Sequence, residues 1–477
     1  MRLGCQGVFE GKVICFRHFR RQSGYRETES TGEEMKNMFP ADFMWGVSSA
    51  SYQIEGAVKE GGRGESIWDR FSHIPGNIYE DENGDTAADF YHRWREDIQC
   101  MKDLGIPAFR LSLAWPRIFP EDEYRINEKG LQFYEQVLLE LKKQGIAAAV
   151  TLYHWDLPQW AQDRGGWANR EIIRWYSLYC LAVMQRFDGL VEKWITFNEP
   201  WVACFEGYYT GNFAPGIRDF STALLAAHNM LCAHGEAVNQ FRNRGIKGEI
   251  GITLNLSPKQ PQSDREADRS AAVRKDGYAN RWFLDPVFRK CYPQDMWEWY
   301  EQQGVILPQV AEGDMERIAA PVDFLGVNYY NIDSTAACEN EWPLFFRQGR
   351  HTFPNTIYNW PITEWGLTQL LCRLQEEYNV KAIFVTENGL SSIDNVQQDG
   401  TVRDPARIDY LKRHIGACAE AIRLGVRLKG YFIWSFLDSF EWNTGYLHPF
   451  GLVHVDRLTG KRTVKESGYW LRDFLAS

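Results

Sequence analysis

The 477-residue chain has no stretch approaching the roughly 18 consecutive apolar residues of a membrane-spanning helix. It also lacks a G-x-x-x-x-G-K-[ST] phosphate loop, an H-E-x-x-H zinc helix and a G-x-S-x-G nucleophile elbow. Those absences set aside P-loop nucleotide chemistry, zinc peptidases and α/β-hydrolases. The glycine cluster G-G-R-G-E-S at 61–66 does not fit G-x-G-x-x-G and follows no strand, so a dinucleotide fold finds no support. Positive charge is short: 53 Lys and Arg face 63 Asp and Glu, a net charge of −10. Neither nucleic acid nor an anionic membrane surface is expected as a partner. Ten cysteines are scattered without C-x-x-C or a histidine cluster, and Cys180 and Cys232 sit in apolar helical stretches. This pattern points to a reducing, cytoplasmic compartment with no structural disulfide and no metal.

Aromatic residues are plentiful: 19 Trp, 22 Tyr and 28 Phe make up 14% of the chain. Most must fill a large core. Tryptophans at strand ends can line a pocket instead, because the indole N–H needs water or a partner. Residues 1–37 stand apart, rich in Lys, Arg, Gly and Ser, weakly periodic and too charged for a signal peptide. They read as an N-terminal appendage, disordered or non-native, ahead of one domain over 38–477.

From Asp42 onward, short apolar or β-branched runs alternate with helical stretches. The runs fall at 43–49, 108–115, 147–154, 193–199, 248–256, 323–329, 382–388 and 428–435. Between them lie amphipathic segments such as 127–145, closed by a glycine, and 171–187. Strands apolar on both faces and separated by helices imply a parallel sheet. Eight such units predict an α/β fold of the (β/α)8 TIM-barrel type, whose strands deliver their C-terminal ends to one mouth.

That geometry gathers Arg110, His154, Asn198, Glu199, Asn328, Tyr329, Tyr330, Glu387, Trp434 and Glu441. Glu199 in T-F-N-E-P-W and Glu387 in V-T-E-N-G-L each close an apolar run, where an unpaired carboxylate is costly to bury. Two carboxylates at one mouth suit glycosidic bond cleavage, with one acid protonating the leaving oxygen and the second attacking carbon or activating water. Arg110 can keep one of the two charged. Taken singly, each residue has a plain reading: a solvated loop glutamate, a packing histidine at 154, turn-capping asparagines at 198 and 388, a structural salt bridge at Arg117. On this pattern alone, a metal-dependent sugar isomerase or lyase and a carbohydrate-binding pseudo-enzyme stay open.

Over residues 38–477 the chain resembles glycoside hydrolase family 1, the β-glucosidase family. The resemblance rests on segments in order: 39–57, F-R-L-S-L-A-W-P-R-I-F-P (109–120), Y-H-W-D-L-P-Q-W (153–160), W-I-T-F-N-E-P (194–200), 276–286, F-L-G-V-N-Y-Y (324–330), V-T-E-N-G (385–389), 434–446 and 450–456. It implies a retaining β-glucosidase acting by double displacement on cello-oligosaccharides and aryl or alkyl β-glucosides, with side activity on β-galactosides or β-fucosides. Glu199 would be the acid/base and Glu387 the nucleophile. Gln53, His154, Asn198, Glu441 and Trp442 would contact the sugar, Trp434 would lie beneath the leaving group, and Arg110, Asn328 and Tyr330 would support the nucleophile. The family uses no cofactor. Gln replaces the acid/base in thioglucoside-cleaving members, whereas Glu199 stands here. In the 6-phosphoglycoside branch a small residue replaces Glu441, whose carboxylate would repel a phosphate. Aglycone preference falls to the loops 257–275 and 333–360.

Overall fold

The computed structural model describes residues 32–477. Eight parallel strands close into a barrel: β1 (Met44–Ser48), β2 (Ala108–Ser112), β3 (Ala147–Thr151), β4 (Lys193–Asn198), β5 (Glu249–Asn255), β6 (Phe324–Asn328), β7 (Ile383–Asn388) and β8 (Leu428–Trp434). Neighbours in sequence are neighbours in space, and β1 closes the ring on β8 with Met44 opposite Gly430. Each strand falls within one of the expected runs.

The connecting helices form where the periodicity placed them. Residues Glu128–Gln144 are helical and bury Leu131, Tyr134, Val137, Leu138 and Leu141. Gly145 ends this helix at φ 73°, a left-handed conformation that favours glycine. The segment expected at 171–187 is helical over Ile172–Arg186. Outside the barrel these helices join the strands in one large apolar core. Inside it sits a separate plug of Ala108, Ala149, Ile195, Phe324, Phe384 and Phe432. The phenyl rings fit because a neighbouring strand offers no side chain: a Cβ on Gly46 would lie 2.5 Å from the Phe432 ring. Along β2, Ala108 joins the plug and Arg110, two residues on, faces the same interior one layer higher.

The loops named for aglycone preference carry structure of their own. Lys259–Pro261, Asp333–Ala337 and Phe346–Gln348 pair into a small sheet, and Glu266–Asp276 is helical. The appendage expected over 1–37 lies outside the described residues as far as 31. Its last part, Gly32–Lys36, is a short helix whose Lys36 Nζ donates to Leu475 O at 2.5 Å, tying it to the C-terminal helix Glu466–Ala476. Cys291 is disulfide-bonded, contrary to the expectation of no structural disulfide, while the seven other cysteines among the described residues are free. No described helix is long and apolar enough to cross a membrane.

Candidate active site

Strict alternation would send Asn198 and Glu199, or Thr386 and Glu387, to opposite faces. The ladder slips between Ile195 and Asn198 where β4 meets β5, and between Val385 and Glu387 where β7 meets β6. Such bulges re-aim side chains at barrel rims. Here they turn consecutive residues toward the same mouth. Glu199 itself takes φ 46°, uncommon outside glycine, and its N–H donates to Thr253 O at 2.9 Å.

Arg110 is the hub. One guanidinium nitrogen donates to Glu387 Oε1 at 2.5 Å and the other to Asn198 Oδ1 at 2.6 Å. Its Nε reaches Thr151 Oγ1 at 3.2 Å, and Thr386 O accepts at 3.2 Å. The second oxygen of Glu387 accepts from Tyr330 O–H at 2.8 Å. A guanidinium and a phenol thus match a carboxylate anion from two sides. Glu199 has no cation of its own. Its Oε1 accepts from Asn328 Nδ2 at 2.6 Å, and Asn328 is fixed in turn by Thr386 Oγ1 at 2.8 Å. Burial, then the charge of Glu387, raises the Glu199 carboxyl to about 8.

Asn198 orders the next layer. Its Oδ1 accepts from both Arg110 and Asn328, so its Nδ2 donates to His154 Nε2 at 3.0 Å. His154 therefore carries its proton on Nδ1, and burial with nearby Arg110 keeps the ring neutral. Gln53 Nε2 donates to Phe440 O at 2.8 Å and Glu441 Oε1 at 3.1 Å. Two buried polar atoms stay without a protein partner: the donor His154 Nδ1 and the acceptor Gln53 Oε1. One hydroxyl-bearing ligand can satisfy both. Burial lifts Glu441 to about 8 despite hydrogen bonds from Trp434, Ser439 and Gln53, and the charge of Glu387 adds to the rise. Trp442 lies flat near His154, with ring centroids 5.9 Å apart, and Trp434 flanks His154 at the same distance. Flat indole faces suit the C–H faces of a sugar ring.

All eleven residues expected at the site belong to this connected constellation. Tyr329, expected at the mouth, turns outward instead and donates to Thr363 O at 2.6 Å in the helical layer. Arg117 forms a structural ion pair with Glu55 at 3.0 Å, as read from the sequence. Asn388 does not cap a turn: it donates to Tyr329 O at 2.6 Å and accepts from Tyr431 O–H at 2.5 Å, fixing the strand behind Glu387. Thr151, Thr386 and Trp155, whose Nε1 donates to Asn198 O at 2.9 Å, were not anticipated. Their only sequence signal was adjacency to site residues.

A second cluster, His228, Cys232 and Asp314, brings three metal-competent atoms within 4.8 Å. Asp314 is already claimed by Arg170 at 2.6 Å, Arg317 at 3.0 Å and His228 at 3.1 Å. Two guanidiniums on the same carboxylate oppose a divalent cation, and the donor set fits a structural ion network.

A buried acid and a cation-bound carboxylate at the mouth of a (β/α)8 barrel define a carboxylate-pair glycosidase. The profile of Glycosyl hydrolase family 1 matches residues 35–477, and the chain belongs to that family. It is 45% identical to Beta-glucosidase A of Thermotoga maritima, over 91% of this chain and 96% of that protein. It is 43% identical to Beta-glucosidase A of Acetivibrio thermocellus, over 92% and 98%. The family 1 β-glucosidase structure from Thermotoga maritima superposes with a TM-score of 0.89 at 44% identity, covering 92% of this chain and 98% of that one.

Proposed function

We propose that the protein is a retaining β-glucosidase whose nucleophile is Glu387 and whose acid/base is Glu199. The observation that carries these roles is the contrast between the two carboxyls: Glu387 meets Arg110 and Tyr330, whereas Glu199 is buried without a cation and raised to about 8. One is prepared to attack as an anion and the other to donate a proton at neutral pH. The names of the relatives support the activity, and one of the similar structures is the Thermotoga maritima β-glucosidase in complex with deoxynojirimycin.

In the first step a Glu387 oxygen bonds to the anomeric carbon as the glycosidic C–O bond breaks, and Glu199 gives its proton to the leaving oxygen. The charge of Glu387 is consumed in the ester, so Glu199 loses part of what raised it and becomes the base. Water then attacks the anomeric carbon, its proton passes to Glu199, and the ester C–O bond breaks to free Glu387. Gln53, His154, Asn198 and Glu441 hold the hydroxyls, Trp442 and Trp434 provide aromatic faces, and Asn328, expected beside the nucleophile, donates to Glu199 instead. Glu441 disfavours a 6-phosphorylated sugar. The partner is a β-glucoside or β-linked oligosaccharide. Seven free cysteines among the described residues support a cytoplasmic location.

The deciding assay compares kcat/KM on an aryl β-glucoside and on its 6-phosphate. Preference for the free glucoside is expected. Preference for the phosphate overturns the assigned sugar, and no turnover of either overturns the activity.

A further inference from the structure

The two unpartnered atoms of the sugar pocket, Gln53 Oε1 and His154 Nδ1, come from different loops. Gln53 rides on the one-turn helix Ser51–Ile54 after β1, and His154 follows β3. A direct link between those loops would help fix the distance from one atom to the other. Such a link exists two residues from each ligand. Ser51 Oγ donates to Asp156 Oδ2 at 2.7 Å. Ser112, at the end of β2, closes the arrangement: its Oγ accepts from Ser51 N at 2.7 Å and donates to Ser51 Oγ at 3.0 Å. All three side chains are buried.

Two further features single out this contact. Ser51 is the one side chain hydrogen-bonded to Asp156 among the described residues, and Asp156 Oδ1 has no protein partner. The carboxylate is thus held in the core by this contact and not by an ion pair. Trp155, between His154 and Asp156, sits at φ 78°. A bulky residue keeps that conformation only where its surroundings over-determine it. Trp155 Nε1 on Asn198 O restrains it from one side, and the Asp156–Ser51 bond restrains the next residue.

We propose that Ser51 and Asp156 are positioning residues: their hydrogen bond clips the β1 and β3 loops together and sets the spacing at which Gln53 and His154 receive the sugar hydroxyls. The clip touches no substrate atom. Its effect is confined to the hydroxyls that Gln53 and His154 hold, so the inference rests on the sugar-binding roles proposed above.

The test measures kcat/KM on an aryl β-glucoside and on its 3-deoxy and 4-deoxy analogues. The enzymes are wild type, Ser51→Ala, Asp156→Ala, the double variant and Asp156→Asn. Ser51→Ala is expected to lose about tenfold on the parent glucoside and clearly less on the analogue lacking the misplaced hydroxyl. The double variant falls no further than the less active single variant, because both break the same Ser51–Asp156 bond. Asp156→Asn, whose amide oxygen still accepts from Ser51, recovers most of the loss of Asp156→Ala. An equal loss on parent and deoxy sugars, additive single effects, or an unchanged Ser51→Ala enzyme overturns the clip. If Asp156→Ala does not fold, the Ser51→Ala comparison decides alone. Should wild type turn over the parent and deoxy glucosides equally well, the sugar-binding roles fail and the clip fails with them.

Discussion

Two of the buried ionic clusters among the described residues are built to opposite rules. Around Arg407, Asp394 accepts from Arg407 and Lys465, Asp404 from Arg407 and Ser467, and Asp438 from Lys465 and His454. Burial pushes Asp438 up, but Lys465 and His454 outweigh it and hold the carboxyl below the usual range. At the barrel mouth, Arg110 pairs with Glu387, while Glu199 and Glu441 have no ion pair among the described residues and are raised to about 8. Gln53 Oε1 and His154 Nδ1 there are buried without a protein partner. The first cluster is closed and joins the segments around residues 394, 404, 438 and 465. The second has more carboxylates than cations, and its imbalance is what can move a proton.

The comparison breaks most visibly if charge is removed from the mouth. Glu387→Gln should lower kcat on an aryl β-glucoside on the order of 10⁴-fold or more. A loss under tenfold would remove Glu387 from the chemistry. In the closed cluster the same kind of change acts on folding. Arg407→Leu takes the guanidinium from two buried carboxylates, Asp394 and Asp404, and should cost about 3–5 kcal/mol by chemical denaturation. The folded fraction should keep wild-type kcat/KM. Loss of activity without loss of stability would show the two clusters to be one functional unit.

The smallest effect separates the clusters by pH. The folded carboxyl of Glu199 titrates near 8 against an ordinary value of 4.5, so the native state holds an extra proton between those limits. Wild type therefore loses more stability than Glu199→Gln as pH rises from about 4.5 to 8, the contribution of Glu441 being common to both. The Tm of Glu199→Gln relative to wild type should climb through that window. A flat difference would mean that the carboxyl is not raised.

The barrel was legible because its signals are local and repeated. Apolar runs such as A-A-A-V-T-L-Y-H (147–154) end on polar residues, and Glu128–Gln144 shows a clean helical face closed by Gly145. Tyr329 was misplaced although alternation held the answer: Asn328 and Tyr330 face inward, so the residue between them faces out. For Asn198 with Glu199 and Thr386 with Glu387, alternation itself fails, because the bulges depend on partner strands distant in sequence. The roles at the mouth came from family resemblance. Ser51, Thr151 and Asp156 were illegible because their hydrogen bonds join loops and strands that only barrel closure brings together.

The measurement closest to the central claim is a titration of Glu199 by carboxyl-labelled NMR. It is done once in the free enzyme and once with Glu387 esterified by a 2-deoxy-2-fluoroglucosyl inhibitor. A value near 8 in the free enzyme that falls on esterification is predicted, since the charge helping to raise it has gone. An ordinary value in the free enzyme, or one unchanged by esterification, would show that Glu387 does not raise Glu199.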